Sequence, residues 1–190
     1  MPHRRRPGSL SLQSRGPRSR RPSPDSRYAQ EVELYDRGWD HHGTAPGEHI
    51  PTILPIKVQQ VDRALTGLIQ DLKQRGLLDS TLVVWGGEFG RAPMQQNNRP
   101  DVPHIGRDHH QHAFTMLLAG GGVKGGQVYG ETDDLGYNVI ENPVTIRDLQ
   151  ALILTQLGLD PFKLHYTFQG LDQRLIGVEG HAKVPTGLVG

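Results

Sequence analysis

The chain contains no cysteine. Disulfides and thiolate-held metals are therefore excluded, and any metal it binds must be held by His, Asp or Glu. No run approaches the roughly 18 apolar residues of a membrane helix, so no membrane association is expected. The basic N-terminus is not followed by an apolar stretch, and no export signal is recognisable. No Gly-x-Ser-x-Gly elbow is present, which argues against a Ser-His-Asp hydrolase. The P-loop pattern is absent, and the glycine run at Gly120-Gly121-Gly122 has neither the spacing nor the following helix of a phosphate-binding fingerprint. No internal repeat is visible.

What is present divides unevenly along the 190 residues. The chain is long enough for one domain with a core. Its hydrophobic fraction is 35%, and its mean hydropathy of −0.52 is polar for a fully folded protein. The polarity is concentrated in residues 1–28, which hold eight Arg and a single acid, Asp25. Taking these from the totals of 21 basic and 20 acidic residues leaves 13 and 19, so the apparent net of +1 averages a basic tail with a body of −6. Residues 1–28 are expected to be disordered, because Arg, Pro and Ser leave almost nothing to bury. A nucleic-acid arm is the weaker reading of this tail: no aromatic residue interleaves with the arginines before Tyr28. Residues 29–182 are expected to form the folded domain, and 183–190 to fray.

Within the body, the apolar spacing of Leu54, Val58, Val61, Leu65, Leu68 and Leu72 predicts a helix from about Ile53 to Arg75, with Thr52 as cap and Gly76 as stop. Thr81-Leu82-Val83-Val84-Trp85 reads as a strand buried on both faces. A long loop follows, from Gly86 to His112, and then a second buried strand at 113–119. Thr145 and Asp148 form a capping-box pattern opening a helix from Ile146 to Leu157. Helix, short loop and buried strand together suggest a parallel α/β crossover.

The chemistry-bearing residues collect in two loops. The first, within 34–50, holds Asp40, His41, His42, Glu48 and His49. The second holds Glu88, Arg91, Asp101, His104, Arg107, Asp108, His109, His110 and His112. Seven of the ten histidines lie between His41 and His112. A connection longer than about 15 residues is unusual and often functional. Carboxylates with imidazoles suit a divalent cation, whether zinc, manganese, magnesium or calcium. An arginine beside each group could hold an oxyanion. The inventory fits a metal-assisted hydrolase; the alternative is a non-catalytic binding or structural module in which the histidines are incidental.

Three ordered motifs, Gly38-Trp39-Asp40-His41-His42, Gly87-Glu88-Phe89-Gly90-Arg91-Ala92-Pro93 and Gly106-Arg107-Asp108-His109-His110, resemble those of an uncharacterised sulfatase-like family of the alkaline phosphatase superfamily. The resemblance runs over about residues 31–182. It implies an α/β sandwich with a mostly parallel central sheet, of which this chain would be the C-terminal portion. It also implies a metal site at Asp40, His42, Glu88 and His109, with Arg91 and Arg107 on the oxyanion. The implied substrates are small-molecule or saccharide phosphate or sulfate esters. Phe89 stands where a further imidazole is common in that superfamily, and the half carrying the nucleophile would be missing, leaving a chain inactive alone.

Overall fold

The computed structural model describes residues 11–12, 31–96, 101–177 and 182–190. The chain divides into two units, Met1–Trp39 and Asp40–Gly190. Apart from residues 11–12, the tail expected to be disordered lies outside the described residues. In the first unit, β1 (Ser11–Leu12) pairs antiparallel with β2 (Leu34–Tyr35). The Trp39 indole donates to Asp36 Oδ2 at 2.8 Å.

The second unit holds two α-helices and four two-stranded antiparallel sheets among its described residues. Helix α1 spans Ile50–Gln74 and α2 spans Ile146–Gln156. Strand β3 (Val83–Trp85) pairs with β6 (Leu117–Ala119), and β4 (Gly90–Arg91) with β5 (His109–His110). Two hairpins complete the set, β7 (Glu131–Thr132) with β8 (Val139–Glu141) and β9 (Tyr166–Phe168) with β10 (Leu171–Gln173). No described helix is long and apolar enough to cross a membrane.

The expected sandwich with a mostly parallel central sheet is thus overturned. Every described ladder is antiparallel, and none has more than two strands. The physical reason lies in β3. The apolar run Thr81–Trp85 contributes only three residues to a ladder, and Val84 and Trp85 remain 38% and 42% exposed. A strand buried on both faces needs a layer on each, and among the described residues no such layers flank it. An apolar run of five cannot itself specify strand direction, since that is set by the partner.

Both helices lie close to where the sequence puts them. In α2 the capping box is complete: the Thr145 hydroxyl accepts from the Asp148 amide, and the Asp148 carboxylate accepts from the Thr145 amide. Its face is genuinely buried. Leu149, Ala151, Leu152 and Leu154 are buried, and Ala151 and Leu154 form a core cluster with Ile176 and Ala182. Helix α1 begins a turn earlier than Thr52 would cap it. His49 is its N-cap, without a side-chain cap bond, and Pro55 falls inside the helix. No residue of α1 is buried.

Three glycines do the turn chemistry expected of them. Gly120, Gly121 and Gly122 all have positive φ, a region that side chains with a Cβ rarely enter. The Gly121 amide reaches Leu78 O at 2.9 Å and fastens the end of β6 to the turn before β3. The C-terminal segment is docked, in contrast to the fraying expected of 183–190. Val189 bridges Val123, the Lys124 amide donates to Leu188 O at 2.9 Å, and Leu188 is buried.

Candidate metal site

Two backbone segments cross at glycines, and that crossing assembles the site. A Cβ on Gly106 would strike the backbone of His42 and Gly43. One on Gly43, where φ is +74°, would strike Gly106 and His104. With no side chains in the way, the Arg107 amide donates to His41 O at 2.9 Å. The second segment is held in turn by the Gln96 amide on Gly106 O (3.0 Å) and the Ala92 amide on Asp108 O (2.9 Å). His49 joins the same brace, its Nδ1 accepting from the Ile105 amide at 2.9 Å. The β4–β5 register then sets Arg91 directly opposite His109. Directly opposed residues point to the same face.

The consequence is a convergence on one atom. Asp40 Oδ1 accepts from His42 Nε2 at 2.8 Å, from His109 Nε2 at 2.9 Å and from Arg91 Nη1 at 2.7 Å. These bonds, His109's first and then Arg91's, hold the Asp40 carboxyl far below the ordinary carboxylate range. On its other edge His42 uses Nδ1 to donate to Gln96 Oε1 at 2.6 Å. That bond is the main cause of its raised pKa, reinforced by the Asp40 charge against a loss from burial. It also fixes the ring so that Nε2 faces Asp40, the kind of outer-shell orientation that metal-binding histidines use. One ligand atom each from Asp40, His42 and His109 lies within 4.8 Å of the others, close enough to hold a metal ion.

The remaining expected site residues sit at one remove. Glu88 is exposed, and its Oε1 takes Arg91 Nη2 at 3.2 Å, so it meets the trio only through the guanidinium. Arg91 thereby bridges two carboxylates. Its guanidinium also lies 5.7 Å from the Phe89 ring centre, within cation–π range. Arg107 is turned to the loop itself. Its side chain donates to Ala92 O at 3.0 Å and its amide to His41 O, bracing the crossing.

Three side chains take roles that the sequence does not give them. Gln96 is 54 residues from His42 in sequence, and no local pattern pairs them. His41 is 7% exposed, and neither ring nitrogen has a hydrogen-bond partner. Burial, with the Arg91 charge, pushes its pKa down and keeps it neutral. Phe89, in sequence only a departure from the superfamily pattern, packs on the His109 ring with centres 4.4 Å apart.

Comparison with known proteins places the chain in a family. A family model described as "Protein of unknown function (DUF1501)" matches residues 25–185. No curated protein and no solved structure matches the chain. The resemblance to sulfatase-like proteins of the alkaline phosphatase superfamily is corrected accordingly: no relative of that kind is found, the matching family carries no assigned function, and the expected parallel sheet is not there. The missing nucleophile half rests on that resemblance alone and goes with it. With most of its length covered by that family model, the chain belongs to the DUF1501 family of proteins of unknown function.

Proposed function

We propose that this chain binds one divalent cation through Asp40 Oδ1, His42 Nε2 and His109 Nε2, and through it a phosphate- or sulfate-type oxyanion whose esters it acts on. The observation that carries the reading is the convergence of two imidazoles and one carboxylate within 4.8 Å. Two nitrogens and one oxygen suit zinc best, and manganese or ferrous iron next. Magnesium and calcium favour all-oxygen shells, which this trio does not offer. Three protein ligands are the number that leaves a position free for water or substrate. When bound, such a cation polarises a phosphoryl or sulfuryl oxygen or acidifies a water.

The chain's own groups have separate roles. Gln96 orients His42, and Phe89 orients His109 by packing. Arg91 gives one bond to Asp40 Oδ1 and one to Glu88 Oε1, and its remaining N–H groups beside the trio are the ones left for an anion's second oxygen. Glu88 holds Arg91 from the far side.

A second reading has a specific observation behind it. All three donors already meet on Asp40 Oδ1, so the cluster also works as an ion-pair clasp joining two loops without any cation. Calorimetric titration with zinc or manganese separates the two. The metal reading expects one ion per chain and a raised Tm, both lost in His109→Ala, while Glu88→Ala retains binding. Wild-type protein with no heat of binding and no Tm shift would rule the metal out and leave the clasp. Because the ligands must be deprotonated, the affinity falls as the solution is acidified.

A further inference from the structure

Beside the trio lies an open cavity of about 350 Å³, lined by Phe89, His109, His110, Gln111, His112 and Tyr137. Five of these six side chains are rings. The Tyr137 and His110 rings lie with centres 4.2 Å apart and planes 35° from parallel. His110 and His112 meet edge-on at 5.4 Å, and Phe89 tilts on His109 at 4.4 Å. His110 is 6% exposed, and its Nε2 is already committed to Tyr137 O at 2.6 Å. That side of the cavity therefore offers ring faces and no free Nε2 donor. Polar groups stand at the exposed part of the lining, on Gln111 and His112.

His109 joins this cavity to the trio. Its Nε2 lies 2.9 Å from Asp40 Oδ1, while the same ring lines the cavity. A molecule whose anionic group sat at the trio would lay its remaining part along the His109 ring, in a lining that also holds Phe89 and Tyr137. Ring faces at these spacings favour a flat π-system in offset or tilted contact. The volume suits one small ring system, at the lower end of ordinary ligand sites. A saccharide would need several polar partners around its hydroxyls, and the ring-lined side supplies few.

We propose that the site selects small aromatic oxyanions, such as monoaryl phosphates or sulfates, by seating the aryl group between Phe89 and Tyr137. This rests on the metal reading above. The test uses the full chain loaded with zinc and compares phenylphosphonate, methylphosphonate and glucose 1-phosphate by calorimetry, after a zinc titration of the same sample. Phenylphosphonate is expected to bind roughly tenfold tighter than methylphosphonate, the size of one aromatic stacking contact. Phe89→Leu and Tyr137→Leu should reduce that preference to about twofold or less. Methylphosphonate binding, unchanged in Tyr137→Leu, reports that fold and metal site are intact; Phe89 also packs on the His109 ring, so the Tyr137 variant, which touches none of the three ligand positions, decides the outcome. Equal affinity for the two phosphonates, or tighter binding of glucose 1-phosphate, overturns the aryl subsite while leaving the metal reading in place. Absence of zinc binding overturns the metal reading, and the subsite with it.

Discussion

The two helices of the second unit make opposite use of similar patterns. Helix α1 has 25 residues and a regular apolar stripe, yet no residue in it is buried. Helix α2 has 11 residues and buries four of them. The ends differ too. Thr145 and Asp148 close a capping box on α2, whereas His49 gives α1 no side-chain cap. Amphipathic spacing says which face of a helix is apolar; whether that face is covered depends on elements far away in sequence. Burial, more than propensity, makes a helix stable in a protein. Helix α2 is therefore the better anchored of the two, while α1 is fastened at its start by the Ile50 amide on Ile105 O at 2.9 Å.

This contrast can be broken most directly by truncating one apolar residue in each helix. Leu152 is fully buried, and Leu152→Ala is expected to cost about 2–5 kcal/mol in chemical denaturation. Leu65→Ala, on the half-buried stripe of α1, should cost about 1 kcal/mol or less. Equal costs would mean that α1 is covered in solution, and the contrast would fail. An effect of similar size is expected at the cap: Thr145→Ala should lose about 1 kcal/mol. Gly67 lies inside α1, and a methyl group there would meet no atom within 4 Å. Gly67→Ala should therefore give the reverse sign, gaining about 0.5–1 kcal/mol in the same denaturation experiment.

The smallest effect is a pH dependence centred on the cap of α2. Burial alone would raise the Asp148 pKa, but the Lys183 amide and the Thr145 amide and hydroxyl outweigh it and set the carboxyl below its ordinary value. A depressed folded value means that the stabilisation is present above the unfolded pKa of about 3.9 and is lost as pH falls through the folded value. Melting temperatures recorded from pH 6 downwards should show this acid limb in wild type and a flatter one in Asp148→Asn. Identical limbs would show that the capping carboxylate contributes no measurable linkage.

Much of the helical framework is legible in the sequence, because caps and 3.6-residue spacing are local. The pattern predicts a helix from Ile146 to Leu157, and Ile146–Gln156 is found. The sheet is not legible. Val83–Trp85 and Leu117–Ala119 are too short to carry a direction of pairing, and the parallel expectation comes from the resemblance and the crossover pattern. For the site, residue type and loop position single out only the two loops; the resemblance narrows them to Asp40, His42, Glu88 and His109, of which Asp40, His42 and His109 do come together. The same reasoning gives Glu88 and Arg107 equal rank with them, and the structure assigns these two to Arg91 and to the loop brace. Gln96 and the Tyr137 ring leave no signal, since their roles arise from separations of tens of residues; His41 stands out by type and position, but nothing local shows that it is buried.

Gly43 and Gly106 carry a consequence of their own. The atoms that would bind a cation belong to Asp40, His42 and His109, but their meeting depends on two residues that contribute only backbone. Damage to this centre need not touch any group capable of chemistry. A single methyl added at Gly106 would press the two segments apart and separate three intact side chains, so a search for disruptive changes guided by side-chain reactivity would pass over these two positions.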